Sequence, residues 1–130
     1  MLIRNIGEKS LAGKKVIEGK LFDKQVVIVF SGIGKVSASL STQALIDNYH
    51  PDFVLNFGSV GGVSKKIKIK NYYLVEKCMQ YDFDVREIDD VPIGYIQDYD
   101  TVFFNTDKID GVDFESVVLA TADKFTSNEK

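Results

Sequence analysis

Short apolar runs separated by polar turns dominate the first part of the chain. Residues 15–21 and 25–30 are two such runs, and Phe22-Asp23-Lys24 lies between them. Apolar runs on either side of a short polar turn predict a β-hairpin. The second run is nearly all β-branched, which is typical of a strand covered on both faces. Residues 8–13, before the hairpin, are predicted to be a loop.

The next segment changes to a helical period. Val36, Leu40 and Ala44 recur at helical spacing, so we predict a helix over residues 36–49 with these three side chains on its buried face. Pro51 restricts the residue before it and thereby ends the helix. The apolar residues 53–56 then predict a buried strand. The order strand, helix, strand predicts a parallel βαβ unit.

The second half of the chain predicts further strands around an irregular acidic segment. Residues 72–81, 102–104 and 116–120 are apolar enough to be strands. Residues 82–100 are rich in aspartate and glutamate, and we predict a surface loop or a partner-facing arm there. Strands mixed with a helical segment place the chain in the α/β class.

Two glycine-rich turns bracket the predicted helix. The first is Ser31-Gly32-Ile33-Gly34-Lys35, and the second is Asn56-Phe57-Gly58-Ser59-Val60-Gly61-Gly62. Glycine lets backbone N–H groups approach a ligand without hindrance from a Cβ atom. In α/β sheets, ligands bind where strands end at their carboxyl edge. The turns therefore predict a small-molecule site, although each also fits a tight connection between elements.

Composition excludes several classes of chemistry. The chain has 130 residues, 45% hydrophobic and 27% charged, as expected for one ordinary globular domain. A single cysteine, Cys78, excludes an internal disulfide and favours a cytoplasmic protein. One histidine, His50, together with one cysteine cannot form a usual zinc site. No apolar run approaches the roughly 20 residues of a membrane span, and no secretory signal opens the chain.

Charge is distributed unevenly along the chain. Basic residues are in excess over residues 1–81, and acidic residues are in excess over residues 82–130. The lysines of residues 65–70 could contact nucleic acid, but the pI of 5.1 argues against it. We therefore predict a solvated strand edge there. The carboxylates of residues 82–90 do not have the spacing of a calcium loop.

The first glycine turn half-matches a dinucleotide-binding fingerprint. Gly32 and Gly34 follow a predicted strand and open a helix, and Asp52 lies further along the chain. Ser37 stands where the third glycine is required, so the match is weak. A Walker A loop fits poorly as well, because Val29 stands where that loop needs its first glycine.

The two turns and three later segments resemble the nucleoside phosphorylase/hydrolase family, most closely its 5′-methylthioadenosine/S-adenosylhomocysteine nucleosidases. Residues 80–85 look like the family's Tyr-His-Asp-x-Asp segment, residues 91–95 like its following loop, and residues 120–125 like its Ser-Gly-Asp-x-Phe strand end. The resemblance implies a partial three-layer α/β fold with a mixed central sheet and flanking helices. It also implies one domain over residues 1–130, incomplete relative to the family.

The resemblance implies a purine nucleosidase of methionine salvage that hydrolyses the N-glycosidic bond and releases adenine, with no cofactor and no metal. Family phosphorylases pair phosphate with an arginine where this chain has Asn56, so the branch that uses water is favoured. The implied substrate-binding residues are Ile33, Ser59, Val60, Gly61, Phe125 and Thr126. The family builds its sites across a homodimer, and the implied partner-subunit contacts are Val85, Ile88 and Pro92. Neither nucleic acid nor a membrane is an implied partner.

Several family features have no counterpart in this chain. Residues 1–13 do not reproduce the family's first strand with its glutamate. A Glu-Met-Glu segment that binds ribose and a Ser-Asp pair that protonates the purine are also missing, so no catalytic residue is assigned. Three hypotheses stay open: a nucleosidase, active alone or only with a second chain; a non-catalytic remnant that binds nucleosides or dimerises; and a dinucleotide-binding half-domain that uses Asp52.

Overall fold

The computed structural model describes residues 3–124, which divide into two compact units within Met1–Phe57 and Gly58–Lys130. Unit one contains strands β1 (Ile3–Leu11), β2 (Lys14–Leu21) and β3 (Lys24–Val29) and helix α1 (Lys35–Tyr49). Unit two contains β4 (Tyr73–Gln80), a short 3₁₀ helix (Gln97–Tyr99), β5 (Phe104–Asn105) and β6 (Glu115–Thr121). The predicted α/β class is confirmed.

Unit one is built on an antiparallel sheet with the order β1-β2-β3. The predicted hairpin is confirmed, because β2 and β3 pair from Leu21↔Lys24 to Val16↔Val29 without a register shift. The predicted loop at residues 8–13 is wrong, since most of it belongs to β1. That strand lacks an apolar alternation because most of it is exposed, and it is held by its ladder to β2 and by a two-residue turn at Ala12-Gly13.

Charged side chains link β1 to β2 across the sheet. Lys9 Nζ lies 2.9 Å from Glu18 Oε2, and Lys15 Nζ lies 2.9 Å from Glu8 Oε1. The Tyr49 hydroxyl donates a hydrogen bond of 2.5 Å to Glu18 Oε1, which ties the end of α1 to the sheet. The hydrogen bonds from Tyr49 and Lys9 lower the pKa of Glu18 below its usual value.

The predicted buried face of α1 is wrong. Val36 is 78% exposed and Leu40 is 50% exposed, whereas Ser41 is buried. The Ser41 hydroxyl donates a 2.8 Å hydrogen bond to the Ser37 carbonyl, which satisfies the polar group inside the structure. Small side chains let the helix backbone lie close to its neighbours, and the serine face rather than the valine–leucine stripe therefore turns inward.

The predicted strand at residues 53–56 is absent from the described structure. The segment forms no ladder there, and the side chains of Phe53 and Leu55 are 86% and 75% exposed. A strand exists only through hydrogen bonds to a neighbour, so an apolar run without a ladder partner is not one. The predicted parallel βαβ unit is therefore wrong as well.

Unit two is built on a mixed sheet with the order β5-β4-β6. The central strand β4 pairs in parallel with β6, from Tyr73↔Glu115 to Gln80↔Thr121, and antiparallel with the short β5. The predicted strands at 72–81 and 116–120 are confirmed, and the one at 102–104 is shifted to Phe104–Asn105. The lysines of residues 65–70 lie in turns and irregular backbone and not on a strand edge. Within residues 3–124, no helix is long and apolar enough to cross a membrane.

Val16 on β2 is the one hydrophobic side chain that is fully buried among the described residues. We expect Val16→Ala to lower the free energy of unfolding by about 2 kcal/mol, because two buried methyl groups leave a cavity. The measurement is denaturant unfolding, with the exposed Val63→Ala as a matched control. Equal effects of the two substitutions would mean that the core does not lie around Val16.

Candidate functional site

The first predicted glycine turn leads from β3 into α1 and requires its glycines. Gly32 and Gly34 have φ angles of +85° and +96°, a backbone region that disfavours every residue with a Cβ atom. Ile33 lies between them, and its side chain is 87% exposed. The turn thus presents one apolar side chain to solvent on a backbone that glycine alone allows without strain.

A lysine that was not among the predicted site residues lies beside this turn. Lys14 Nζ is 3.5 Å from the Ser37 hydroxyl oxygen, and it is 3.4 Å from the position that a Cβ atom at Gly32 would occupy. The first turn of α1 carries no acidic residue. The ammonium group and the N-terminal end of the helix dipole therefore make this corner of unit one electropositive.

The second predicted glycine turn lies in irregular backbone at the start of unit two. Ser59, Val60 and Gly61 are exposed. A Cβ atom at Gly61 would meet nothing within 4 Å, whereas one at Gly62 would lie 2.6 Å from Ile67 Cγ2. Gly62 therefore serves close packing, and Gly61 leaves its backbone open to a ligand. That this turn and Ile33 line one pocket stays a prediction.

The parallel pair β4–β6 brings two chain segments together at the carboxyl edge of the sheet of unit two. The Tyr81 N–H donates a 3.1 Å hydrogen bond to the Thr121 carbonyl. Beyond it, the Asp123 N–H donates to Asp82 Oδ2 over 2.9 Å. Lys124 Nζ lies 5.5 Å from the centre of the Tyr81 ring. Asp82 thus fixes the chain where β6 ends.

This strand end leads toward two of the predicted site residues. Phe125 and Thr126 follow directly in the sequence and lie outside the described residues. Asp82 was not among the predicted site residues. Its position just beyond the end of β4 is the signal that could have singled it out, because parallel strands bring their carboxyl ends to one edge.

The acidic segment is folded by its own backbone hydrogen bonds. The Val85 carbonyl accepts from the N–H groups of Ile88 and Asp89, both over 2.9 Å, and the Pro92 carbonyl accepts from Tyr95 N–H over 3.1 Å. Val85 and Ile88 therefore share one turn, and Pro92 begins the next. Their predicted role as partner-subunit contacts stays a prediction.

A cavity of about 390 Å³ opens beside these turns; it is lined by Phe83, Val85, Asp89, Asp90, Val91, Tyr95 and Gln97. The Tyr95 hydroxyl donates a 2.7 Å hydrogen bond to Asp100, which raises the pKa of the tyrosine. The cavity combines apolar walls with two carboxylates. Of the predicted site residues, Val85 lies in its lining.

Asp84 and Arg86 form a two-pronged ion pair within the same segment. Arg86 Nε and Nη2 donate to the two carboxylate oxygens of Asp84 over 2.8 Å and 2.7 Å. The side-chain hydrogen bonds from Arg86 lower the pKa of Asp84 to about 2. Asp84 is therefore ionised at neutral pH and cannot act there as a general acid. Across residues 3–124, no group of three or more His, Cys, Asp or Glu side chains is arranged to hold a metal ion.

Comparisons with known proteins connect this geometry to one family. The sequence model described as "Phosphorylase superfamily" matches residues 4–130. A 5′-methylthioadenosine/S-adenosylhomocysteine nucleosidase of an Exiguobacterium species is 32% identical over 133 residues, which are 95% of this chain and 57% of that protein. This chain therefore spans less than two thirds of the length of that relative.

Solved structures of similar proteins agree in fold. The nucleosidase of Neisseria meningitidis in complex with methylthio-immucillin-A superimposes with a TM-score of 0.84 at 26% identity, covering 95% of this chain and 58% of that one. The nucleosidase of Colwellia psychrerythraea in complex with adenine superimposes with a TM-score of 0.82 at 28% identity, covering 98% and 57%.

The ion pair of the acidic segment generates a pH prediction. The folded pKa of Asp84 is lowered, so the stabilisation by the pair is complete above the unfolded pKa near 4 and is lost as the pH falls through about 2. We expect Arg86→Gln to raise this pKa, because the side-chain hydrogen bonds of the guanidinium are lost, as followed by carboxyl ¹³C NMR. Lys66→Gln, an exposed lysine elsewhere, is the control. An unchanged pKa in Arg86→Gln would contradict the assigned cause.

The strand-end hydrogen bond generates a second prediction. We expect Asp82→Ala to speed hydrogen exchange at the Asp123 amide by about five- to tenfold. The reason is that the substitution removes one hydrogen bond, which is worth about 1 kcal/mol. Asp82→Asn keeps an acceptor oxygen and should leave the exchange rate close to that of the wild type. Equal exchange rates of the Asp123 amide in the alanine and asparagine variants would contradict the role of the Asp82 carboxylate as acceptor.

Proposed function

Because this chain belongs to the phosphorylase superfamily, we propose that it is the purine-riboside-binding part of a nucleosidase. The proposed reaction is hydrolysis of the N-glycosidic bond of 5′-methylthioadenosine or S-adenosylhomocysteine, which releases adenine. The observation that carries the proposal is the match of 95% of this chain to a nucleosidase of that specificity. Asn56 supports it further, because a neutral amide cannot provide the charge that a phosphorylase needs for phosphate.

In this proposal the chain binds and orients the substrate. The exposed Ile33 contacts the ribose and its 5′-substituent, and Ser59, Val60 and Gly61 line the ribose and the purine. Phe125 stacks near the base with Thr126 beside it. The Asp82–Asp123 hydrogen bond supports this arrangement, because it fixes the strand end from which residue 125 follows.

N-glycosidic cleavage also needs proton transfer. The transition state resembles an oxocarbenium ion, so the base must be protonated as it leaves and a water molecule must be activated. Each of these contributions is typically worth about 10²–10⁴-fold in rate. The resemblance assigns neither role to a residue of this chain. We therefore expect the isolated chain to bind the nucleoside and to hydrolyse it slowly or not at all.

The proposed assembly is a cytoplasmic homodimer in which Val85, Ile88 and Pro92 reach the pocket of the partner subunit. Support comes from Ile88, which is exposed although it is apolar and lies on an ordered turn. The second candidate function is a nucleoside-binding or dimerising remnant without catalysis. The observation that favours it is the salt-bridged Asp84, which is removed from acid chemistry at neutral pH.

The test incubates the purified chain with 5′-methylthioadenosine and follows both adenine release and the melting temperature. Stabilisation with adenine release supports the nucleosidase, and stabilisation without release supports the binding remnant. Stabilisation by NAD that Asp52→Ala abolishes would instead support the dinucleotide-binding half-domain. If no nucleoside shifts the melting temperature, the proposal is wrong.

A variant pair tests the glycine turn itself. We expect Ile33→Asp to weaken the apparent affinity for 5′-methylthioadenosine at least tenfold, because a carboxylate replaces an apolar contact to the ligand. The stabilisation by the nucleoside should fall accordingly. Ile69→Asp is the matched control, since Ile33 and Ile69 are 87% and 92% exposed and only Ile33 lies in a glycine turn. Equal affinities of the two variants would remove Ile33 from the site.

A further inference from the structure

One aspartate of this chain is followed by a glycine, and the two residues lie in an exposed turn of unit two. Asp110-Gly111 is the only place in the sequence where glycine follows an aspartate or an asparagine. The turn spans residues 109–112 and is closed by a 3.4 Å hydrogen bond from the Val112 N–H to the Ile109 carbonyl. Both Asp110 and Gly111 are exposed, so water reaches the peptide bond between them.

The contacts of this turn leave its side chain and its central nitrogen free to move. Within residues 3–124, the Gly111 N–H donates no backbone hydrogen bond, and the Asp110 carboxylate takes part in no hydrogen bond or ion pair. The carboxylates of Asp82 and Asp84, by contrast, are fixed by hydrogen bonds. An exposed side chain without a partner changes rotamer within nanoseconds. The carboxyl carbon of Asp110 can therefore turn toward the nitrogen of Gly111.

We propose that Asp110-Gly111 is a site of spontaneous isoaspartate formation in the folded protein. The Gly111 nitrogen bonds to Cγ of Asp110, and the hydroxyl of the protonated carboxyl group leaves with the amide proton as one water molecule, which closes a five-membered succinimide. A second water molecule opens the ring. Attack at Cγ restores aspartate, whereas attack at the main-chain carbonyl breaks its bond to the nitrogen and leaves the chain running through the former side chain. The proposal does not depend on the nucleosidase activity.

Glycine at the second position favours ring closure. A Cβ atom there would crowd the attacking nitrogen and restrict the backbone rotation that closure requires. Gly111 has a φ of +77°, and a Cβ atom built on it would meet nothing within 4 Å, so the space around the nitrogen is open. Asp113 is exposed as well, but the large side chain of Phe114 follows it. A comparison of Asp110 with Asp113 therefore separates the effect of the glycine from that of solvent exposure.

The product lengthens the main chain of the turn by one methylene group. The turn leads into β6, whose first residue, Glu115, pairs with Tyr73. Just before it, the Phe114 ring stacks on the Tyr72 ring with 5.7 Å between the centroids. The open space around Gly111 lets the longer turn form without a clash with these neighbours. Isoaspartate is therefore expected to accumulate in the folded chain and not only after unfolding.

The test incubates the full chain at neutral pH, once under native conditions and once in urea, and follows its peptides by mass spectrometry. At Asp110 we expect first a succinimide, lighter by one water molecule, and then an isoaspartyl peptide of unchanged mass that resists a protease specific for aspartate. Conversion at Asp113 should be at least about fivefold slower. Conversion of Asp110 only in urea, no conversion at all, or equal conversion at the two aspartates would overturn the proposal.

Two variants test the chemistry of the turn. We expect Asp110→Glu to form neither product, because it keeps the charge but would have to close a six-membered ring. Gly111→Asn should slow conversion at least about fivefold, since it adds a Cβ atom while asparagine still tolerates a positive φ. Retained hydrogen-exchange protection of β4 confirms that both variants fold. Conversion of Gly111→Asn at the wild-type rate, or a succinimide in Asp110→Glu, would contradict the proposed site.

Discussion

Backbone hydrogen bonding decides which apolar runs of this chain become strands. Strand β4 has a ladder on both sides, to β5 and to β6, and it organises unit two. Residues 53–55 are equally apolar, yet within the described structure they have no ladder and stay exposed. Apolar character supplies the tendency to be buried, whereas a strand also needs a partner for its N–H and C=O groups. The partner is a property of the whole fold and not of the local sequence.

The sequence therefore predicts best where pairing is local. The hairpin of β2 and β3 closes through a two-residue turn, and its pattern locates both strands within one residue. The helix is located as well, because its period is local. Its orientation is not, since Ser41 is buried whereas Val36 and Leu40, which sequence alone would bury, are exposed. β1 is missed for a related reason, because the ladder to β2 makes it a strand although it has no apolar alternation.

The candidate site likewise has features that can be predicted from local sequence and features that depend on the whole fold. Its glycine turns can be read from sequence, because the backbone at Gly32 and Gly34 needs φ values that restrict the residue type. Lys14 cannot be found so, because its contact with Ser37 joins residues far apart in the sequence. Asp82 can be noticed as the residue that follows a predicted strand, but its hydrogen bond to Asp123 cannot be read from the sequence. A motif search finds the glycine turns themselves. The polar contacts of Lys14 beside the first turn and of Asp82 at the end of β6 are fixed by tertiary structure.

Two of the described carboxylates, Asp82 and Asp84, are held by interactions that do not suit proton transfer. A general acid must hold its proton at the working pH, and Asp84 cannot, because Arg86 stabilises its ionised form. Asp82 is engaged as an acceptor for a backbone N–H, which is a structural task. Stabilising a strand end requires a fixed acceptor oxygen, whereas delivering a proton requires a carboxyl group that is free to turn toward the substrate. The two acidic residues that shape this part of the fold are thereby occupied, Asp82 by the Asp123 N–H and Asp84 by the Arg86 guanidinium.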